Sequence, residues 1–140
     1  MKTVLFACIH NAGRSQMAAA FFNAAADAAI AQAISAGTEP AMHVHPEVQA
    51  VMHEVGIDLS GAVPTLLTDC VAAGADVLVT MGCGEMCPFV AGAELIDWDI
   101  LDPKGRRPED VRHIRDEVRR RVDELVDSHG WNRVRNGAAE

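Results

Sequence analysis

Positive charge is scarce in this 140-residue chain: twelve Lys and Arg stand against twenty Asp and Glu, a formal net charge of −8. Nucleic acid and acidic membrane surfaces both need a basic patch, so neither is expected as a partner. Long apolar runs are missing as well. No stretch approaches the ~20 uninterrupted apolar residues of a membrane span. Met1 and Lys2 lead straight into the strand-like TVLFAC, with no small-residue cleavage site behind an apolar core. The expectation is a cytoplasmic protein. Cysteines number four, Cys8, Cys70, Cys83 and Cys87, too few and too unevenly placed for a secreted disulfide scaffold. Tyrosine is absent and aromatic residues amount to 4%, which leaves few rings to wall an aromatic substrate.

The composition that remains is globular, with 49% hydrophobic and 23% charged residues, so neither disorder nor a fibrous repeat is indicated. A chain of this length suits one domain burying roughly two-thirds of its unfolded surface. Short apolar runs alternate with amphipathic ones. TVLFA (3–7), AQAISAG (31–37), DVLVTM (76–81) and ELIDW (94–98) read as strands. Helices are expected over 14–30, over 45–57 entered at Pro46, over 65–75 and over 107–129. The last carries an apolar stripe of Val111, Ile114, Val118, Val122, Leu125 and Val126. The pattern predicts one α/β domain over 1–129 with a mainly parallel sheet, then a loose tail over 130–140. Ligands in such folds sit at the carboxyl ends of the strands.

Cys8 stands at that rim, at the end of the first strand, and is followed after five residues by Arg14. The intervening loop can turn successive backbone N–H groups inward, and a helix starting near Arg14 and Ser15 points its positive end into it. Such a nest suits a tetrahedral oxyanion, and the same field stabilises a thiolate nucleophile. The planar fork of Arg14 can bind two oxygens of the anion at once. Asn11 and Gly13 suit left-handed backbone, and Ser15 can donate a hydrogen bond to the thiolate. On spacing alone, Cys8 also reads as a small buried hydrophobe and Arg14 as a surface cation.

Three further features lie near the same rim. Cys83 and Cys87 follow the third strand, four positions apart, which on a helix places their Cα atoms about 6 Å from each other. Zinc is a rival use, but a lone Cys-x3-Cys lacks a second pair, and His43, His45 and His53 belong to another segment. Asp102 and Pro103 follow the fourth strand, where a carboxyl group could protonate a leaving oxygen. They read equally well as an ordinary turn, and Asp97 and Asp99 compete for the acid role. Cys70, at helical spacing with Leu66 and Ala73, is expected in the core. No metal is expected.

The segments VLFACIHNAGRSQMA, SAGTEP, VMHEVGIDLS, VTMGCGEMCP and DWDILDPKG together resemble the arsenate reductases of the low-molecular-weight protein tyrosine phosphatase fold. The resemblance covers the chain to about residue 129. It implies a single three-layer domain whose four-stranded parallel sheet is flanked by helices. It also implies an oxyanion loop of Cys8, Ile9, His10, Asn11, Ala12, Gly13 and Arg14, with Cys8 as nucleophile and Asp102 as acid. His10 stands where these proteins usually have glycine, and Gly13 where many have cysteine. By the same resemblance Cys83 as first resolving thiol and Cys87 as second relay oxidation away from Cys8, although the shorter spacing here lets either attack first, and thioredoxin recharges the pair without a bound cofactor. The alternatives are a small-molecule thiol such as mycothiol or glutathione as reductant, a tyrosine phosphatase, and a non-catalytic thiol sensor or arsenite-binding module.

Overall fold

The computed structural model describes residues 1–82 and 90–133. Along the chain these form β1 (Lys2–Cys8), α1 (Arg14–Ala25), β2 (Ala31–Gly37), α2 (Pro46–His53), α3 (Asp69–Ala73), β3 (Val77–Thr80), β4 (Glu94–Asp97) and α4 (Pro108–His129). The strands make the expected four-stranded sheet in the order β2-β1-β3-β4, every neighbouring pair parallel.

β1 lies inside the sheet, and Val4, Leu5, Phe6 and Ala7 are fully buried, as a strand covered on both faces requires. The twofold period of the strand then assigns the faces. Val4, Phe6 and Cys8 enter the larger core with Met17 and Phe22 of α1, Val48 and Met52 of α2, and Val111, Val118 and Val122 of α4. Leu5 and Ala7 enter a smaller core on the other face, with Ala36, Ala72, Ala75 and Leu78. Helices therefore flank the sheet in three layers.

The elements depart from the sequence expectation where side chains redirect the backbone. α1 stops at Ala25 rather than Ile30, because Asp27 gathers the next turn: its carboxylate accepts from the Ala29 N–H and its carbonyl from Ile30 and Ala31. The helix expected over 65–75 shrinks to α3. Gly37 donates to the Thr65 carbonyl and accepts from the Leu67 N–H, so 65–67 runs beside the end of β2, and the Thr68 hydroxyl caps the helix by accepting from Val71. Cys70 is consequently exposed, not in the core. Residues 131–133 are not loose. Trp131 is buried edge-on against Phe22 with ring centroids 6.0 Å apart, and Arg133 donates to the carbonyls of Asn23 and Ala24. Residues 134–140 lie outside the described part.

The connection from β1 leads outward to β2, whereas β3 pairs on the other side of β1. The carboxyl ends of β1 and β3 therefore flank the topological switch point, where open α/β sheets bind ligands. Cys8 ends β1 there, and Met81 and Gly82 follow β3.

Candidate active site

The loop between β1 and α1 owes its shape to where its carbonyls go. Those of Cys8, Ile9, His10 and Ala12 accept from the N–H groups of Thr38, Glu39, Ala41 and His45. The Asn11 carbonyl accepts from Gln16 Nε2, and that of Gly13 from the Met17 N–H. Six successive carbonyls are thus committed to the chain around the loop, an arrangement suited to an anion nest. Asn11 makes the necessary reversal at φ 49°, a conformation asparagine tolerates better than most residues. The start of α1, with no acidic residue in its first turn, adds its positive end to the same space.

Gly37 makes the close approach possible. A Cβ on it would lie 2.5 Å from the Ile9 carbonyl oxygen and 2.8 Å from the Asn11 nitrogen, so only glycine lets β2 support the loop from below.

A chain of hydrogen bonds ends on the sulfur. Asn11 Oδ1 accepts from the Thr65 N–H at 2.8 Å and from Gln16 Nε2 at 3.2 Å, which orients the amide so that Nδ2 donates to Ser15 Oγ at 2.7 Å. The Ser15 hydroxyl in turn shares a hydrogen bond with Cys8 Sγ, 2.8 Å away. Cys8, Asn11 and Ser15 are all buried.

Arg14 is 8% exposed, and its guanidinium is held from two sides. Nη1 donates to the Ile100 carbonyl at 3.0 Å, and Nη2 stands 3.9 Å from Asp102 Oδ2. Gly82, at φ 90°, lies so close that a Cβ there would be 2.7 Å from Nη1. Arg14 thereby joins the nest, the end of β3 and the segment after β4.

The structure brings together Cys8, Asn11, Arg14, Ser15 and Asp102 from the sequence reading. Ile9, His10, Ala12 and Gly13 complete the loop, and Nδ1 of His10 donates to the Glu39 carbonyl at 3.1 Å, outside it. Of the competing carboxylates, Asp97 accepts from the Thr80 hydroxyl at 2.6 Å, and Asp99 lines a separate cavity of about 290 Å³ with Ile100 and His113. Cys83 and Cys87 lie outside the described residues. Among the described residues no cluster of His, Cys, Asp and Glu could hold a metal ion, and no helix is long and apolar enough to cross a membrane. Sequence reasoning missed Gln16 and Thr65. Thr65 and Asn11 are 54 positions apart, a distance at which no local spacing signals a pair.

Over residues 3–136 the chain matches the family described as low molecular weight phosphotyrosine protein phosphatase. It is 38% identical over 129 residues to a glutaredoxin arsenate reductase of Synechocystis, covering 90% of this chain and 97% of that protein. The thioredoxin-dependent arsenate reductase of Corynebacterium glutamicum superposes with a TM-score of 0.79 at 38% identity, over 91% of this chain and 61% of that longer one. An arsenate reductase from Archaeoglobus fulgidus superposes with a TM-score of 0.75 at 31% identity, over 89% of this chain and 98% of the other.

Proposed function

The chain belongs to the low molecular weight phosphotyrosine protein phosphatase family, and from that premise we propose that it reduces arsenate to arsenite by way of a covalent Cys8 intermediate. The observation that carries the reading is the hydrogen-bond chain ending on Cys8, in a loop suited to an anion nest. The relatives named arsenate reductase choose arsenate as the oxyanion. The absence of tyrosine from the chain weighs against a phenolic phosphate ester.

In the proposed sequence the Cys8 thiolate attacks arsenic while Arg14 and the nest hold the other oxygens. Asp102 gives its proton to the departing oxygen, which leaves as water. Cys83 then attacks the Cys8 sulfur. A Cys8–Cys83 disulfide forms, the sulfur–arsenic bond breaks with both electrons going to arsenic, and arsenite leaves. Cys87 displaces Cys8 from Cys83 and restores the first thiolate. A reduced thioredoxin takes the Cys83–Cys87 disulfide by dithiol exchange, in the cytoplasm where such reductants are kept charged. Arsenate and thioredoxin are thus the two partners, and no bound cofactor enters the cycle.

The test is arsenite production from arsenate with thioredoxin, thioredoxin reductase and NADPH, repeated with glutaredoxin and with a mycothiol system. One NADPH consumed per arsenite in the thioredoxin system is expected. Turnover confined to glutaredoxin or mycothiol would replace the reductant. Phosphate-ester hydrolysis without arsenite formation would replace the reaction.

A further inference from the structure

The turn that carries Asp102 is gripped from outside by the first turn of α2. Within the turn, Asp102 Oδ1 accepts from the Lys104 N–H at 3.0 Å, Arg106 Nε donates to the Asp102 carbonyl at 2.6 Å, and the Arg106 N–H reaches the Pro103 carbonyl at 3.2 Å. The carboxyl group therefore moves with the turn as one unit. Two contacts anchor that unit. Pro103 lies on Gly13 of the nest, its Cγ only 2.7 Å from where a Cβ on Gly13 would stand. At the other end, the Gly105 N–H donates to Glu47 Oε2 at 3.0 Å, across 58 positions of sequence.

Glu47 sits two residues after His45, whose N–H donates to the Ala12 carbonyl of the nest at 2.9 Å. One helical turn thus holds both halves of the site, the anion loop through His45 and the Asp102 turn through Glu47. We propose that Glu47 is a positioning residue that keeps the Asp102 carboxyl over the nest. The inference rests on the reading of Asp102 as the acid. Partial burial works against the charge of Glu47, but hydrogen bonds from its own N–H and that of Gly105, with His45 nearby, hold its carboxyl below the ordinary range. It is therefore an acceptor at neutral pH.

A residue that acts through Asp102 has nothing to contribute once Asp102 cannot donate a proton, and this makes the idea testable by a double-mutant cycle. The measurement is single-turnover arsenite formation by the prereduced full-length protein, with thermal unfolding of each variant alongside. Asp102→Asn is expected to slow the reaction by about a hundredfold or more, the usual scale of general acid catalysis. Glu47→Ala should slow it by about tenfold, the scale of one lost hydrogen bond to a charged group. Glu47→Gln, whose amide oxygen still accepts from Gly105, should recover most of that loss. In the Asp102→Asn background Glu47→Ala should add nothing. Losses that multiply in the double variant, an unchanged Glu47→Ala rate, or a Glu47→Gln as slow as Glu47→Ala would each overturn the positioning role while leaving Asp102 as the acid. A normal rate for Asp102→Asn alone would remove both.

Discussion

Ser15 Oγ stands 2.8 Å from Cys8 Sγ and accepts from Asn11 Nδ2 at 2.7 Å. Toward the thiolate nucleophile of the proposed reaction, which has no proton to give, this hydroxyl can only donate. Ser15→Ala should therefore lower kcat/KM for arsenate by roughly ten- to a hundredfold, the range for a hydrogen bond to a charged group. A normal rate would mean the hydroxyl serves only the loop.

Arg14 spends one nitrogen on the Ile100 carbonyl and faces Asp102 with the other. A lysine at this position cannot hold both sides and still present a planar fork to the anion. Arg14→Lys should weaken turnover by about tenfold or more, the difference between a point charge and a bidentate donor. Inhibition by inorganic phosphate, which reports anion binding without the redox steps, should weaken in parallel. Near-wild-type values for both would remove Arg14 from the anion site.

Gly37 is the support under the nest, with the Ile9 carbonyl and the Asn11 nitrogen inside contact distance of any added Cβ. Gly37→Ala must displace backbone rather than a flexible side chain, and strain of that kind costs on the order of 1–3 kcal/mol. Activity is expected to fall further than stability, because the displaced atoms are those that shape the loop. A thermal midpoint and a rate both equal to the wild type would contradict the geometry.

A fourth prediction concerns α4. His129 Nε2 pairs with Glu94 Oε1 at 2.9 Å, its Nδ1 meets the Leu125 carbonyl at 2.9 Å, and its ring stacks on Trp131 at 4.4 Å. The hydrogen bond to Glu94, opposed by burial and aided by the Leu125 carbonyl, raises its pKa above the ordinary 6.5. A group charged more readily when folded stabilises the fold fully below the unfolded pKa, and that contribution disappears as pH rises through the higher folded value. Thermal midpoints should therefore fall as pH rises from about 6.5, and Glu94→Gln should flatten that decline. An equal decline in the variant would rule out the pair as its source.

The parts of this molecule legible in sequence are those in which neighbours in the chain are neighbours in space. The alternation of Val4, Leu5, Phe6 and Ala7 and the apolar stripe of α4 needed only a local period, and Cys8, Asn11, Arg14 and Ser15 sit within eight positions. Thr65, Gly37 and Glu47 serve the same site from across the fold, where composition carries no trace of them. Cys70 shows how local spacing misleads. Leu66, Cys70 and Ala73 fit a helical face, but the side chain of Thr68 starts α3 late and Leu67 bonds to Gly37 instead, so the thiol turns outward. The end of α1 was obscured for a related reason. Its alanine-rich sequence offers no polar contrast, and Asp27 ends it through a turn.

The proposed relay yields the most discriminating prediction, because Cys83 and Cys87 follow β3 in the chain and thiol–disulfide chemistry leaves a covalent record. Gly82, the residue before Cys83, already touches Arg14, so the chain enters the relay segment at the edge of the nest. If Cys83 attacks Cys8 and Cys87 then attacks Cys83, Cys87→Ser should complete one reduction per protein and stop as a Cys8–Cys83 disulfide. Cys83→Ser should stall before arsenite release unless Cys87 reaches Cys8 directly. Thiol–disulfide exchange needs an in-line approach of the attacking sulfur, so the bridge found by mass spectrometry after one arsenate addition identifies which thiol is within reach. A Cys8–Cys87 bridge in Cys83→Ser would reverse the order of the two. Multiple turnovers by Cys87→Ser with thioredoxin as sole reductant would show that the Cys8–Cys83 disulfide is itself open to thioredoxin, and the second transfer would then have no place in the cycle.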